Sequence, residues 1–352
     1  MSGIALRSGG VGTGVLARAR PRRGRFWLLL VVLLVAGVVV VGLRHTRDKV
    51  GEGASTSAPS ASAPSAPSGT PTSQPGTSGA DRLQLADLDG LDATSRSCLL
   101  GRPARVVQVG RAERSPRWRR DLVERFDRLD PDRWTARDDT RLNHDRASLL
   151  ARNVSTRGGR LAISARREAV AGRAFTSGFV ETDGKYTLPD TFQVAVRAKV
   201  PVHQGLWAAP LWLRPADGSA GEIDVVETTH RPGEAPRVHH SIHTAYGPKR
   251  QVAAHRYPFA DVGDRAGTRW HTYVLRKTPG LMVVWVDGKV TAAFCVGAPD
   301  WYDTYYDAGK RWSMRINLQV GGWGGGPRPG EAWRGGSATL LVDKITTWVP
   351  ER

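Results

Sequence analysis

One run of six residues, Glu222-Ile223-Asp224-Val225-Val226-Glu227, constrains the chain most, because it places three carboxylates inside an otherwise apolar, β-branched segment. Side chains alternate faces along a strand, so Glu222 and Asp224 share one face while Ile223 and Val225 point into a core. Glu227 is out of step by one residue. A one-residue β-bulge at Val225-Val226 restores the phase, and bulges of this kind are common beside active sites. The run therefore predicts a strand that carries all three acids on one surface.

Carboxylates this close to one another repel, and the repulsion raises the pKa of at least one of them. Hydrolysis of a glycosidic bond requires two carboxyl groups of unequal pKa, because one acts ionised at the anomeric carbon while the other protonates the leaving oxygen. A residue between them, here Asp224, can hydrogen-bond a neighbouring carboxyl and adjust its proton affinity. The alternative is a solvated edge strand with ordinary surface acids, which would not need the flanking valines and the phase slip.

The run resembles the Glu-x-Asp-x-x-Glu signature of glycoside hydrolase family 16, in the bulged form of its laminarinase-like members. Other stretches over residues 121–352 resemble that family in the expected order. They are Phe175-Thr176-Ser177-Gly178, Val196-Arg197-Ala198-Lys199, Gly205-Leu206-Trp207, Ser241-Ile242-His243, Trp270-His271-Thr272-Tyr273, Val286-Asp287-Gly288-Lys289, Asn317-Leu318-Gln319-Val320-Gly321-Gly322 and Leu341-Val342-Asp343. The acid motif is highly specific, whereas the others are weak when taken alone.

The resemblance implies an all-β, concanavalin A-like jelly-roll sandwich with a concave substrate cleft and a retaining, double-displacement mechanism. Carried over by position, Glu222 is the nucleophile, Glu227 the general acid/base and Asp224 the auxiliary acid. Retaining enzymes hold their two carboxyls about 5 to 5.5 Å apart. His243 matches a family histidine that hydrogen-bonds near the acid/base, and Trp207 matches an aromatic residue of the Gly-Leu-Trp element.

The sequence departs from the family pattern in places that concern stacking and metal binding. The segment Asp217-Gly218-Ser219-Ala220-Gly221 lacks the Trp that family members often carry shortly before the first Glu. Arg125-Phe126 stands where the family has an acidic Glu-Phe pair. No cofactor is expected. A structural calcium ion is left open by the resemblance, with Asp343 and the backbone near Gly159 as candidate ligands.

Short alternating segments at residues 192–200, 281–287 and 339–349, separated by Gly and Pro turns, favour an antiparallel sandwich or barrel. Aromatic faces stack on pyranose rings, so Trp207, Trp212 and Trp323 are candidates to bind sugar, with a place in the core as the alternative. Asn317 and Gln319 share a face of one strand and are candidates to bind sugar hydroxyls.

The N-terminal part of the chain predicts an exported protein. Residues 26–43 are uncharged and mostly apolar, which is near the lower limit for a transmembrane signal-anchor helix. Six arginines precede them, so the positive-inside rule leaves the basic tail of residues 1–25 in the cytoplasm and places the rest outside the plasma membrane. Secretion after cleavage of a signal peptide is the alternative.

A tether and linker is expected over residues 44–120, because residues 51–80 are almost entirely Ser, Pro, Ala, Thr and Gly and cannot bury a core. Within it, residues 81–120 are either further linker or a strap across the domain. Residues 121–352 are then the catalytic domain.

The net charge of +18 does not indicate a nucleic-acid-binding protein, because +8 of it lies in residues 1–50 and no nucleic-acid motif is recognisable. The two cysteines, Cys98 and Cys295, both fall on the exported side. In an oxidising compartment such a pair is a disulfide candidate, and two unpaired thiols are the alternative.

The sequence as a whole predicts a membrane-tethered, extracellular, retaining endo-β-glucan hydrolase that acts as a monomer on β-1,3- or mixed β-1,3-1,4-glucan. Its expected partners are the polysaccharide substrate and, through residues 26–43, the membrane. A transglycosylase that remodels an envelope polysaccharide would use the same acids, so only its products would differ. A non-catalytic glycan-binding protein is a further alternative, although such a protein has no need for a crowded acid triad.

Overall fold

The computed structural model describes residues 82–108 and 117–351, apart from residues 143, 308, 332 and 334–337. The basic tail, the expected transmembrane helix at residues 26–43 and the tether up to residue 81 lie outside the described residues. In the part of the chain that the structure describes, no helix has the length and apolar character needed to cross a membrane.

The described residues form eighteen strands, two short α-helices and several 3₁₀ turns. The strands are β1 (Trp118–Glu124), β2 (Thr135–Ala136), β3 (Ala147–Leu149), β4 (Val154–Thr156), β5 (Leu161–Ser164), β6 (Phe175–Ser177), β7 (Phe179–Glu181), β8 (Thr187–Leu188), β9 (Phe192–Lys199), β10 (Leu206–Pro215), β11 (Glu222–Thr229), β12 (Arg237–His243), β13 (Val252–Pro258), β14 (His271–Thr278), β15 (Leu281–Val286), β16 (Lys289–Cys295), β17 (Trp312–Val320) and β18 (Thr339–Pro350). The α-helices are α1 (Ala93–Leu99) and α2 (Tyr302–Tyr306), and the 3₁₀ turns are Leu85–Leu88, Ala104–Val107, Ala151–Asn153, Phe259–Val262 and Gly322–Gly324.

Two large sheets contain most of the strands. The front sheet has the order β13-β12-β11-β10-β17-β7-β2, with β8 also paired to β17. The back sheet has the order β16-β15-β14-β9-β18-β5-β4, with β1 paired to β18. All the pairings within these two sheets are antiparallel, and the remaining pair, β3 with β6, is parallel. The all-β, antiparallel expectation is confirmed.

The core lies between the two sheets because alternate residues of facing strands point inward. Val194 and Val196 on β9 of the back sheet belong to the same fully buried cluster as Ile316 and Leu318 on β17 of the front sheet. Ile223 and Val225 on β11 join this cluster, as the alternation in the sequence predicts. The neighbouring acids on β11 therefore lie on the opposite face of the front sheet.

A segment of residues 82–107, which we call the strap, packs on the outer face of the back sheet. Asp92 caps the N-terminus of helix α1, and its side chain accepts a 2.7 Å hydrogen bond from Ser95 N. Leu88 and Leu99 are buried in a second apolar cluster with Val283 and Trp285, residues that face away from the main core. The disulfide between Cys98 and Cys295, with Cα atoms 5.7 Å apart, attaches α1 to β16.

The strap is folded as well, although it lies ahead of residue 121, the expected start of the catalytic domain. The sequence left two alternatives for residues 81–120, further linker or a strap across the domain. In the structure, residues 82–107 form a strap. The physical reason is that Leu83, Leu88, Leu91 and Leu99 cover apolar side chains that the outer face of the back sheet would otherwise expose. Leu85 of the same leucine pattern stays 61% exposed.

Candidate active site

A β-bulge on β11 brings the three acids to one face of the front sheet. In the pairing with β12, Asp224 faces Ser241 and Glu227 faces His239. Three steps along β11 therefore match two steps along β12, so one extra residue lies at Val225-Val226. Both valines are fully buried in the core. The predicted one-residue bulge is confirmed, and its consequence is that Glu222, Asp224 and Glu227 all lie on the outer face.

Glu227 has the proton affinity of a general acid. Its side chain is 9% exposed, and Oε1 accepts a 2.7 Å hydrogen bond from the indole Nε1–H of Trp207. Burial and the negative charges of Asp224 and Glu222 raise the pKa of Glu227 well above its ordinary value, against smaller opposing effects of Trp207 and Arg250. Glu227 therefore keeps its proton to higher pH than an ordinary glutamate.

Glu222 is surrounded by groups that favour its ionised form. The hydroxyl of Tyr246 donates a hydrogen bond to Oε2, and Arg214 Nη1 lies 3.5 Å from the same oxygen. Burial and the charge of Asp224 raise the pKa of Glu222, but His243, Tyr246 and Arg214 act in the opposite direction. The pKa of both glutamates is thus raised, and Glu222 differs from Glu227 in having a guanidinium group and a phenol hydroxyl beside its carboxyl group.

Asp224 is held by a hydrogen-bonded group on β12. Its Oδ2 accepts a 2.6 Å hydrogen bond from Ser241 Oγ and lies 2.7 Å from His243 Nε2. Burial opposes a charge on His243, yet the Asp224 carboxylate raises the pKa of His243 above its ordinary value. His243 thus lies beside Asp224 and opposite Glu222 in the strand register, and not beside Glu227 as the resemblance implies.

The same group contains the one set of side chains among the described residues with spacing suited to a metal ion. Glu222, Asp224 and His243 each offer a ligand atom, and these atoms lie within 4.8 Å of one another. However, Asp224 Oδ2 is engaged by Ser241 and His243, and Glu222 Oε2 is engaged by Tyr246. The hydrogen bonds account for the close approach of these atoms without a metal ion.

Backbone contacts hold the acid-bearing strand in place. The Tyr306 hydroxyl on α2 lies 2.8 Å from the carbonyl oxygen of Glu222 and 2.5 Å from that of His243. It therefore joins β11 to β12 at the position of the first acid. Tyr306 itself stacks on Trp312, with ring centroids 5.9 Å apart, so a buried aromatic pair fixes this end of the site.

The tryptophans predicted to bind sugar lie on the acid-bearing side of the front sheet, but each also has a structural contact. Trp207 hydrogen-bonds Glu227 and packs edge-on against Trp323, with centroids 5.0 Å apart. Trp212 pairs with Asp224 in the strand register and donates a 2.7 Å hydrogen bond to Asn317 Oδ1. All three rings are half-buried, so each retains some accessible surface.

Trp323 is placed by glycines that follow β17. Gly321 and Gly322 have φ of +83° and +62°, which side chains rarely allow, and a Cβ on Gly321 would meet the Arg146 side chain at 2.5 Å. The turn at Gly322–Gly324 is closed by Arg231, whose Nε donates a 2.7 Å hydrogen bond to Trp323 O. The aromatic ring is therefore held over the end of the acid-bearing strand.

The two amide residues predicted on β17 are covered in the structure. Asn317 is fully buried and Gln319 is 6% exposed. Asn317 Oδ1 accepts the hydrogen bond from Trp212, and its Nδ2 has no hydrogen-bond partner among the described residues. Contrary to the prediction that it binds sugar hydroxyls, Asn317 is positioned to orient Trp212.

Asp343 lies away from the acids and is neutralised by two arginines. Its Oδ2 is 2.9 Å from Arg197 Nη1 and its Oδ1 is 3.4 Å from Arg160 Nε. Calcium requires several oxygen ligands with excess negative charge. Two guanidinium groups on the only candidate carboxylate do not fit such a site, so Asp343 is an ion-pair residue in this structure.

Sequence reasoning missed Tyr246 and Arg214. Tyr246 is 59% exposed on the loop after β12, and the Arg214 guanidinium lies 4.3 Å from the centroid of its ring. An aromatic residue in Thr244-Ala245-Tyr246-Gly247-Pro248, directly after the His243 strand, was the available signal. Tyr246 is an exposed ring beside Glu222. The segment just before Glu222, residues 217–221, has no tryptophan.

The site therefore contains two buried glutamates whose pKa values are both raised and whose polar partners differ, with aromatic rings beside them, on an antiparallel sandwich. This arrangement defines a carbohydrate-cleaving enzyme of the two-carboxyl class.

Comparison with known proteins gives the family. No protein-family model matches the chain. The Beta-glucanase of Rhodothermus marinus is 30% identical over 272 residues, which cover 68% of this chain and 88% of that protein. The Endo-1,3-1,4-beta-glycanase ExsH of Rhizobium meliloti (strain 1021) is 32% identical over 184 residues, covering 51% of this chain. The match spans only 36% of the length of ExsH.

The fold agrees with these relatives. SCLam, a non-specific endo-β-1,3(4)-glucanase from family GH16, superposes with a TM-score of 0.54 at 23% identity, over 67% of this chain and 93% of its own. The chain belongs to glycoside hydrolase family 16. It is a glycoside hydrolase, an enzyme that acts on O-glycosyl bonds.

Proposed function

We propose that this enzyme is a retaining endo-β-glucan hydrolase that cleaves β-1,3- or mixed β-1,3-1,4-glucan. The observation that carries the proposal is a pair of buried glutamates on one bulged strand with different partners, Tyr246 and Arg214 beside Glu222 and the Trp207 indole beside Glu227. The relatives named as a Beta-glucanase and an Endo-1,3-1,4-beta-glycanase support the substrate class.

In the first half of the reaction, the Glu222 carboxylate attacks the anomeric carbon while Glu227 gives its proton to the leaving glycosidic oxygen. The C–O bond to the leaving sugar breaks as the bond to Glu222 forms, and the anomeric configuration inverts. The hydrogen bond from Tyr246 and the nearby Arg214 keep Glu222 ionised for this attack.

In the second half, Glu227 is ionised and removes a proton from water. The water oxygen attacks the same carbon, the bond to Glu222 breaks, and the second inversion restores the β configuration. The hydrogen bond from Trp207 stabilises Glu227 while it is ionised in this half. Asp224, held by Ser241 and His243, raises the proton affinity of both glutamates throughout.

We also propose that the catalytic domain acts outside the plasma membrane, attached through residues 26–43. The apolar stretch, the arginines before it and the Ser/Pro/Ala-rich residues that follow support this placement. The disulfide between Cys98 and Cys295 supports it independently, because such bonds persist in oxidising compartments.

Incubation of the full-length chain with a polysaccharide panel tests the substrate class. Laminarin and barley mixed-linkage glucan should be cut internally, seen as a fall in viscosity before short sugars accumulate, whereas a β-1,4-glucan and a β-galactan should not. The Glu222→Gln variant is the control and should release nothing. Cleavage of the galactan alone would overturn the substrate assignment.

The identity of the first product tests the mechanism. Proton NMR should show the β anomer first, followed by slow mutarotation. An α anomer would overturn retention. Products longer than the starting oligosaccharide would show transfer to sugar in place of water.

A further inference from the structure

A cationic pocket opens on the outer face of the front sheet beside Glu227. It has a volume of about 290 Å³ and is lined by Thr229, Arg231, Glu234, Arg237, His239 and Arg256. In the strand register Glu227 pairs with His239, and His239 pairs with Arg256, so one row leads from the catalytic acid to the pocket. We call this the arginine pocket.

The charges of the arginine pocket do not cancel. Arg237 Nε lies 3.4 Å from Glu234 Oε2, the single acid in the lining. Both of these side chains are about two-fifths exposed, so the pair is weak. Arg256 is exposed and forms no ion pair or side-chain hydrogen bond with the described residues. The three arginines therefore exceed the one carboxylate by two positive charges.

Part of the pocket is rigid. Arg231 is fixed by its 2.7 Å hydrogen bond to Trp323 O, and its guanidinium lies 5.7 Å from the centroid of the Trp323 ring. His239 packs edge-on against the same ring, with centroids 4.6 Å apart, and its Nε2 lies 2.8 Å from Thr229 Oγ1. Burial and the charge of Arg256 lower the pKa of His239 to about 3, so the floor of the pocket is neutral and polar at pH 7.

The volume and the chemistry indicate what the pocket can hold. At about 290 Å³ the pocket is at the lower end of the range for ligand pockets, which suits a single sugar unit or its substituent. Planar guanidinium groups match the oxygens of carboxylate and sulfate groups. A neutral glucan would leave the excess positive charge of the pocket without a partner.

We propose that the arginine pocket is a subsite for an acidic substituent of the polysaccharide, a carboxylate or a sulfate carried near the cleaved bond. This inference rests on the proposed glucan hydrolysis and adds to its neutral substrates a preference for β-glucans that carry acidic substituents. The substituent is held one strand away from Glu227, so its recognition helps to set which bond enters the site.

The test compares three substrates of matched chain length: laminarin, partly carboxymethylated laminarin and partly sulfated laminarin. For the wild-type chain, kcat/KM should be higher on one or both anionic forms than on laminarin. In Arg256→Gln, the ratio of anionic to neutral kcat/KM should fall roughly tenfold, mainly through KM. Glu234→Gln should raise the same ratio, because it removes the only acid of the pocket.

The matched control is Arg120→Gln. Arg120 is an exposed arginine on β1 of the back sheet, so this variant changes the net charge equally but away from the pocket. It should leave the ratio at the wild-type value. An equal fall in Arg120→Gln and Arg256→Gln would overturn the proposal, because the preference would then come from overall charge. The carboxymethylated and sulfated substrates distinguish the two kinds of substituent.

A binding measurement separates failure of the pocket from failure of the proposed hydrolysis. Affinity electrophoresis of Glu222→Gln through gels containing carboxymethylated laminarin should show retardation that Arg256→Gln, added to the same variant, reduces. Retardation without cleavage of any glucan by the wild-type chain would overturn the proposed hydrolysis and keep the anionic subsite. Equal mobility of the two variants would overturn the subsite whatever the activity.

Discussion

The indole Nε1–H of Trp207 donates a 2.7 Å hydrogen bond to Oε1 of Glu227. An aromatic residue expected to stack on sugar is thus also a donor to the proposed catalytic acid. Because a hydrogen bond to the ionised carboxylate favours that form, Trp207 limits the rise in the pKa of Glu227 that burial and the neighbouring acids cause.

Replacement of Trp207 should therefore shift the pH profile. In Trp207→Phe the ring is kept and the donor is lost, so the pKa of Glu227 rises further and the alkaline limb of kcat moves to higher pH. Trp323→Phe is the control, because Trp323 packs against Trp207 but donates no hydrogen bond to Glu227. An unchanged alkaline limb in Trp207→Phe would contradict this role.

Asp224→Asn should shift the same limb in the opposite direction. Removal of the negative charge lowers the pKa of Glu227 and that of Glu222, so Glu227 loses its proton at lower pH. We expect kcat at the optimum to fall roughly 10²-fold, less than for either glutamate. Ser241→Ala removes a hydrogen bond to Asp224 but no charge, and should leave the limb near its wild-type position.

The two glutamates should respond differently to azide. With a substrate whose leaving group needs no protonation, Glu227→Ala still forms the intermediate on Glu222, so azide should accelerate turnover and give the β-glycosyl azide. In Glu222→Ala azide attacks directly and should give the α-glycosyl azide. Proton NMR distinguishes these products: anomers swapped between the two variants would exchange the assigned roles, and the same anomer from both variants would remove them.

Asp145 should make stability depend on pH. Its side chain is 4% exposed, and burial raises the pKa of Asp145 from 3.8 to about 7. The unfolded chain therefore ionises Asp145 from about pH 4 while the folded chain does not, so this stabilising contribution is lost as pH rises from about 4 to 7. Asp145→Asn cannot ionise, and its Oδ1 can still accept from Ala147 N and Val320 N.

Urea unfolding at several pH values measures this effect. The free energy of unfolding of Asp145→Asn should gain on that of the wild type as pH rises from 4 to 7. If the free energies of unfolding of the wild type and Asp145→Asn differ by the same amount at every pH from 4 to 7, Asp145 does not cause the pH dependence of stability.

Loss of the disulfide should destabilise the domain. The bond closes a loop with a sequence separation of 197 residues. The chain-entropy account gives about 5 kcal/mol for so long a loop, and measured values often fall below it. The Tm of the wild type should fall on addition of a reductant, whereas the Cys98→Ser/Cys295→Ser double variant should start lower and not respond. An equal Tm of the wild type with and without reductant would contradict a stabilising contribution of the disulfide.

The acid triad could be predicted from sequence because its information is local. Alternation places Ile223 and Val225 inward, and only a bulge then brings Glu227 to the face of Glu222. The bulge satisfies hydrophobic burial and charge exposure within six consecutive residues, so no knowledge of other strands is needed.

The surroundings of the triad could not be predicted in the same way, because they depend on strand register. Arg256 reaches the row of Glu227 through the pairing of β13 with β12, and Asn317 is covered because Trp212 of β10 lies against it. The sequence also could not decide whether the strap was folded or linker. Leu85, Leu88 and Leu99 lie in short 3₁₀ and α-helical turns, which are too brief to show a helical period.

The crosslink between the strap and β16 also changes what a protease can release. Any single cut between Cys98 and Cys295, including one in residues 109–116, leaves the two pieces covalently joined. The sandwich would then stay attached to whatever lies N-terminal to the strap until the bond is reduced or a second cut is made before Cys98. Under the proposed attachment through residues 26–43, release of the sandwich would depend on redox conditions and on cleavage ahead of the strap, and not on nicks within the loops of the sandwich.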